Sequence, residues 1–147
     1  MPTYSARNLT PNRAAAVGHG LGNNLKVLEY FVDCPAAPTT SDPLQFGWPP
    51  ANFVLLRAVL ESDDLDTAGS PTITLNIGDA GSATRLFSAA TVAQTGAAAV
   101  ADTAAVAGYT YDGATLVTGV AAANATTGAA GQIRLWLIGF IKDPATS

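Results

Sequence analysis

The feature that most constrains this fold is a succession of short apolar runs, each ended by glycine, proline, aspartate or threonine. The runs are rich in branched and aromatic residues, or alternate apolar with polar residues, which is typical of β-strands. The predicted strands cover residues 25–32, 53–61, 72–77, 83–87, 109–111, 115–122 and 132–141. In the second of them, strict alternation places Leu56 on the same face as Ala58, and Leu55 on the other face. So many short strands with little helix predict an all-β fold, an antiparallel β-sandwich of jelly-roll type. An up-and-down barrel is the alternative.

The alanine-rich stretch from residue 88 to 107 is ambiguous. Alanine favours helix, whereas Gly96 and several threonines interrupt the stretch. Ser88 is a suitable N-cap, and Gly96 is a suitable stop. We therefore predict a short helix over residues 89–95 and no further helix.

Composition predicts one folded domain that completes its burial against partners. The chain has 147 residues, of which 48% are hydrophobic and only 12% are charged. This charged share is about half that of an ordinary globular protein. So many apolar residues argue against intrinsic disorder, and so few charges leave much of the surface to threonine, serine, asparagine and protein contacts.

Residues 1–24 differ from the rest of the chain. They contain three glycines, two prolines, Arg7 and Arg13 but no acid, whereas all eleven acidic residues lie from Glu29 onward. Glycine and proline at these positions prevent a regular helix or strand. We predict an extended, basic N-terminal arm over residues 1–24 and a β-sandwich domain over 25–147. The arm is either a frayed terminus or an element that docks on a partner.

Charge and hydropathy exclude two classes of partner. The formal charge of -4 leaves no broad basic face for nucleic acid. The N-terminus lacks the apolar core of a secretory signal, and no stretch reaches the ~18 apolar residues of a membrane span. The sequence therefore predicts synthesis in a cytoplasm, with neither nucleic acid nor a membrane as partner.

The chain lacks the residue sets of common enzymes. His19 is the only histidine and lies in the predicted arm, and Cys34 is the only cysteine. A single cysteine excludes an internal disulfide, and these two residues lie on elements with no reason to converge on zinc. We predict a protein that is not an enzyme and needs no cofactor.

One acidic cluster, Asp63, Asp64 and Asp66 directly after Glu61, has two interpretations. Oxygen ligands gathered in one loop suit a hard cation such as calcium, although the spacing is not that of an EF-hand. Aspartates also start turns by accepting hydrogen bonds from nearby backbone amides. We favour a metal-free turn in which Asp63 or Asp66 accepts backbone N–H bonds.

The last predicted strand is apolar on both faces. Ile133, Leu135 and Leu137 alternate with three large groups on the opposite face, Trp136, Ile138 and Phe140. Such a strand belongs at the centre of a sheet or against a neighbouring subunit. We predict that Trp136, Ile138 and Phe140 form an oligomer interface.

Three stretches of the chain carry a family resemblance. They are Asp-Leu-Asp-Thr at 64–67, Ile-Thr-Leu-Asn-Ile-Gly at 73–78, and an Ala/Thr/Gly loop at 121–131 that leads into the last apolar strand. In this order, between residues 54 and 141, they resemble small virion proteins of tailed bacteriophages. The closest likeness is to capsid decoration, or cement, proteins.

The resemblance implies a β-sandwich or jelly-roll protein on the outer surface of a capsid, made in the host cytoplasm. It also implies a homotrimer that bridges subunits of the major capsid protein and stabilises the shell. Within the arm, Tyr4, Arg7 and Arg13 are the predicted capsid-binding residues.

A second class of function stays open. A head-fibre, neck or tail-associated module would bind host-surface glycans through an aromatic platform. The candidate platform residues are Trp48, Tyr109, Tyr111, Trp136 and Phe140, whose alternative role is core or interface packing.

Overall fold

The computed structural model describes residues 2–5 and 25–142, in which the regular secondary structure is almost entirely β-strand. The strands are β1 (Tyr4–Ser5), β2 (Lys26–Cys34), β3 (Leu44–Gly47), β4 (Phe53–Ser62), β5 (Thr74–Gly78), β6 (Phe87–Ala90), β7 (Ala98–Ala101), β8 (Thr110–Tyr111), β9 (Val117–Ala123) and β10 (Gly131–Ile141). The only helical piece in these residues is one 3₁₀ turn, Val92–Gln94.

The strands form two sheets that face each other as a sandwich. One sheet has the order β1-β3-β9-β5-β6, and the other has the order β2-β10-β4-β7 with β8 also pairing with β4. Strands β2 to β5 alternate between the sheets, and the first long strand, β2, lies beside the last, β10. Strands that alternate between two sheets in this way form a jelly roll. The predicted all-β sandwich is therefore confirmed.

β10 lies at the centre of its sheet, as its two apolar faces predicted. It pairs antiparallel with β2 from Gly131 to Gly139 and with β4 from Ile133 to Ile141. Its inward side chains, Ile133, Leu135 and Leu137, are fully buried. The opposite side of the core comes from the facing sheet, in which Leu75 and Ile77 are also fully buried.

The alanine-rich stretch contradicts the predicted helix. Residues Phe87–Ala90 form β6 instead, with Ala90 opposite Leu75 of β5. Ala98–Ala101 then pairs with β4 as a strand that the sequence did not predict. Because an edge of each sheet is available for pairing, tertiary hydrogen bonds outweigh the helix propensity of alanine here. Gly96 does adopt a left-handed φ of 70°, directly after the 3₁₀ turn.

A second unpredicted strand is β3, which ends at Gly47, just before Trp48 and two prolines. The sequence pattern predicts no strand at these residues. The four residues Leu44–Gly47 are too few to show an alternating pattern. Prolines on both sides also make the segment resemble a loop.

A bulge in β4 corrects the predicted facing of that strand. Strict alternation would place Leu56 on the same face as Ala58, but Leu55 is buried instead while Leu56 and Arg57 both point outward. The register against β10 shifts between Ile138 and Gly139, so one extra residue of β4 is accommodated there.

Gly139 makes this bulge possible. A Cβ at this position would collide with the carbonyl oxygen of Val54 and lie 3.0 Å from the Phe53 ring. We expect Gly139→Ala to lower the free energy of unfolding by about 1–3 kcal/mol, because the β4 backbone has to move.

Thermal melting measures this effect, and Gly69→Ala is the matched control. A Cβ at the exposed Gly69 has no atom within 4 Å. Equal melting temperatures for the two variants would contradict the role assigned to Gly139.

Candidate interaction surface

The side of the β2-β10-β4-β7 sheet that faces away from the core is here called the outer face. Alternation along each strand determines which residues reach it. They are Val27, Glu29, Phe31 and Asp33 of β2; Gln132, Arg134, Trp136, Ile138 and Phe140 of β10; Val54, Leu56, Arg57, Val59 and Glu61 of β4; and Ala98 and Val100 of β7.

The outer face is strongly apolar. Among the described residues, the exposed large hydrophobic side chains are Leu25, Val27, Leu56 and Val100, which are 39% to 65% exposed. All four lie on this sheet or at the start of β2. A contiguous apolar patch of this kind marks an interaction site.

The structure brings Trp136, Ile138 and Phe140 together at the centre of the outer face, each half-buried. Trp136 lies between Glu29 and Val59, and Ile138 lies between Val27 and Arg57. The residues of β2 and β4 that complete this face were not predicted from the sequence. That they form an oligomer interface stays a prediction.

The outer face also carries charges. At one end of it, the Arg134 guanidinium donates to Glu61 at 2.8 Å and to Asp63 at 3.2 Å. Partial burial works to lower the pKa of Arg134, but these bonds outweigh it and raise the pKa. One guanidinium faces two carboxylates, and Asp33 is exposed on the neighbouring strand β2, so this end keeps a net negative charge.

The acidic turn after β4 has a structural centre in Asp66, which is 1% exposed. Its carboxylate accepts backbone N–H bonds from five residues on two loops: Ala68, Thr72, Ile73, Thr126 and Thr127, at 2.7 to 3.4 Å. Burial alone would raise the pKa of Asp66, but these donors hold it far below its usual value. The predicted closure of this turn by backbone amides is confirmed.

Asp63 and Asp64 point to other partners. Asp63 accepts the Gln132 N–H at 2.8 Å as well as the Arg134 guanidinium, and Asp64 accepts the Asp66 N–H at 3.0 Å. In the part of the chain that the structure describes, no three acidic, histidine or cysteine side chains are grouped to hold a metal ion. The three aspartates therefore act on separate parts of the turn.

The Asp66 carboxylate makes stability depend on acid pH. Its pKa is depressed in the folded state, so its contribution is complete above the unfolded pKa of about 4 and decreases as the pH falls below that value. We expect Asp66→Asn to unfold more easily than the wild type at pH 7, with a difference that narrows below pH ~4. Urea melts across this range measure the difference.

The matched control for this measurement is Asp64→Asn, because asparagine still accepts the single Asp66 N–H bond. A constant difference between Asp66→Asn and the wild type at all pH values would show that the Asp66 charge is not what stabilises the loops.

Calcium provides an independent test of the same turn. We expect millimolar calcium to leave the melting temperature unchanged, because the Asp66 oxygens already accept N–H donors and Asp63 is paired with Arg134. A rise of several degrees that Asp64→Asn abolishes would instead show that the turn binds a cation.

A second polar cluster links the β5–β6 turn to the segment before β8. The buried Asp79 carboxylate accepts from Arg85 Nε at 2.7 Å, and the Arg85 guanidinium lies 3.8 Å from the centre of the Tyr109 ring. Tyr109 in turn meets Tyr111 edge-on at 5.0 Å. These contacts are within the domain, so the cluster fastens two loops together.

The aromatic platform proposed for glycans is not assembled. Tyr111 is buried and Tyr109 is covered by Arg85, whereas Trp136 and Phe140 lie half-buried on the outer face. None of the aromatic side chains that the structure describes is fully exposed. Trp48, the fifth candidate, is half-buried just after β3, so the five residues do not gather on one exposed surface, and glycan binding stays a prediction.

The predicted capsid-binding residues fall into two groups. Tyr4 is 8% exposed and belongs to the core, and its backbone N–H bonds to the Pro43 carbonyl as β1 pairs with β3. Its side chain packs within its own domain, and its part in capsid binding stays a prediction. Arg7 and Arg13 lie outside the described residues, as does His19.

Cys34 is buried at the end of β2. Burial, with a smaller effect from Asp33, raises the pKa of its thiol to about 12. The thiol is therefore neither ionised nor accessible at neutral pH.

Comparison with solved structures decides the family. A chain of the capsid asymmetric unit of cyanophage Pam1 matches with a TM-score of 0.75 and 45% sequence identity, over 88% of this chain and 93% of that one. This chain belongs to the same family as that phage capsid chain. A chain of the capsid of Ralstonia phage GP4 matches with a TM-score of 0.71 and 29% identity, over 89% of this chain and 92% of that one.

No protein-family model and no curated protein matches this member of the phage capsid family. The two capsid likenesses support a structural role, and a location, in a virion. They also favour a structural over an enzymatic protein. Among the described residues, no helix has the length and apolar character to cross a bilayer.

Proposed function

We propose that the chain is a capsid decoration, or cement, protein that binds the outer surface of the major capsid shell and stabilises it. The observation that carries this proposal is the 45% identity to a Pam1 capsid chain over nearly the whole of both chains. The small size of the domain and its apolar outer face fit a protein that completes its burial on an assembly.

Binding in many copies to one shell strengthens the attachment of such a protein. A modest contact between one copy and the capsid gains avidity when several linked copies bind adjacent sites. We therefore propose that copies associate, as the homotrimer that the resemblance implies, with Trp136, Ile138 and Phe140 at the contact. Bridging neighbouring capsid subunits then opposes their separation.

The cement function is tested by heating virions with and without the protein. Particles assembled without this chain are expected to release their DNA at a lower temperature than decorated ones. Adding the purified protein back should restore the release temperature. Identical release temperatures at full occupancy would contradict the stabilising role.

Binding to the capsid is proposed to involve the N-terminal segment through Arg7 and Arg13. These are the only charged residues before Lys26, so they give this segment a positive charge suited to an acidic capsid surface. Tyr4 supports this role indirectly, because its place in the core fixes the start of the segment to the domain.

We expect Arg7→Glu/Arg13→Glu to lower occupancy on bare capsids by about tenfold or more, because like charges then oppose each other. Occupancy is measured by cryo-electron microscopy or by co-sedimentation. Thr84→Glu is the control, since it also adds an acid but at an exposed position in the β5–β6 turn. Equal occupancy for the two variants would exclude this segment from the contact.

A further inference from the structure

We propose that one end of the sandwich, here called the basal end, faces the capsid and binds an acidic surface there. The basal end is where β2 and β4 begin and β10 ends, and the apical end is where β2 and β4 end and β10 begins. This inference rests on the proposed decoration function and adds to it the part of the domain that meets the shell. It is carried by the strand directions, by the division of charge between the two ends, and by two basal lysines.

The strand directions place both attachments of residues 6–24 at the basal end. β1 runs parallel to β3, and β3 leads through residues 48–52 to the start of β4, so β1 also runs toward the basal end. β2 begins at Lys26, which lies opposite Gly139 near the end of β10. The segment that carries Arg7 and Arg13 is therefore joined to the domain at its basal end on both sides.

Charge divides unequally between the two ends. Toward the apical end, the described residues include six acids and one base, a net charge of -5: Asp33, Asp42, Glu61, Asp63, Asp64, Asp66 and Arg134. Toward the basal end they include four bases and three acids, a net charge of +1: Lys26, Arg57, Arg85, Lys142, Asp79, Asp102 and Asp112. Glu29 lies between the two groups, opposite Trp136 at the middle of β10. In the sequence, Arg7 and Arg13 add two positive charges next to the basal end, and Asp143 removes one.

The length of the domain lets this difference decide the orientation. The 11 residues of β10 span about 36 Å, whereas salt at physiological concentration screens charges over about 8 Å. When the basal end meets an acidic shell, the apical acids lie several screening lengths away, and their repulsion is largely lost. The reverse orientation would bring the acidic end against the shell. Electrostatic complementarity therefore favours the basal end as the contact.

Two lysines at the basal end are available to a partner. The ion pairs among the described residues involve arginines of β4, β10 and the β5–β6 turn, and neither Lys26 nor Lys142 takes part in one. Lys26 begins β2 and Lys142 directly follows β10, the neighbouring strand, so both lie close to where residues 6–24 rejoin the domain. Leu25, which is 65% exposed, adds an apolar group beside them. A contact on this side is continuous with the one proposed for Arg7 and Arg13.

The other side of the basal end is less suited to an acidic partner. The β5–β6 turn lies at the edge of its sheet opposite β1. Its Arg85 donates to the buried Asp79 at 2.7 Å and lies over the Tyr109 ring, so this charge is used within the domain. The proposed contact is therefore confined to the side of β1 and β2, and Thr84 in this turn lies outside it.

This orientation agrees with the proposed homotrimer. The outer face runs along the strands from one end of the domain to the other, so copies that meet through it can stand side by side. In a cyclic trimer, equivalent points lie at the same height along the symmetry axis. Three basal ends can therefore meet one shell together, and each contact adds avidity to the others.

Thiol protection tests the orientation without changing a charge. Ala51 is exposed at the basal end, just before β4, and Gly69 is exposed at the apical end, between β4 and β5. Because the native Cys34 is buried, Ala51→Cys and Gly69→Cys each provide one reactive thiol. A maleimide-linked polymer is added to the free protein and to decorated capsids. Binding is expected to slow the labelling of Ala51→Cys about tenfold or more and to change that of Gly69→Cys by less than about twofold, because only a covered thiol is shielded from the reagent.

Charge reversal gives an independent test. We expect Lys26→Glu/Lys142→Glu to lower capsid occupancy about tenfold or more, because acids would then face an acidic surface. Gly69→Glu is the control, since it adds an acid at the apical end, where a Cβ meets no atom within 4 Å. Co-sedimentation with capsids measures occupancy, and thermal melting of each free variant confirms that it is folded.

Two results would overturn the proposed orientation. One is protection of Gly69→Cys on the capsid, or the same change in labelling rate at both positions. The other is a double lysine variant that binds capsids as well as Gly69→Glu does. The decoration function fails separately, if the wild-type protein does not bind capsids.

Discussion

The structure depends on β10, the last strand, which is hydrogen-bonded on both sides. It joins the first long strand, β2, to β4, so the sheet is complete only when the whole chain has been used. Its inward residues supply the centre of the core, and its outward residues supply the centre of the outer face. One strand therefore determines both the stability of the domain and the surface that it offers to partners.

Two buried carboxylates hold loops, whereas the Arg134–Glu61 pair joins strands β10 and β4. Asp66 ties the β4–β5 connection to the loop after β9 through backbone amides, and the Asp79–Arg85 pair fastens the β5–β6 turn beside Tyr109. A carboxylate with several N–H donors is satisfied without a counter-ion. The inward side of the strands can consequently stay apolar while the loops are still held by polar contacts.

Sequence alone predicted the all-β class, the central position of the last strand and the amide-bonded acidic turn, because each follows from a local pattern. It did not predict β3 or β7, since a four-residue strand between prolines and an alanine-rich strand lack an alternating signal. It also misplaced Leu56, because a bulge depends on the register against β10. Only part of the outer face was predicted from the sequence. Trp136, Ile138 and Phe140 were predicted because they alternate along one strand. Glu29 and Arg57 lie beside them only because strands distant in sequence pair in the sheet.

Cys34 has a practical consequence for work on assembled particles. It is the only cysteine in the sequence, and it is buried with a thiol pKa raised to about 12. Thiol reagents will therefore leave the folded wild-type chain unmodified at neutral pH. A cysteine introduced at an exposed site such as Gly69 becomes a unique chemical handle, and fluorophores or antigens attached there would be displayed once per copy at a defined place on each domain.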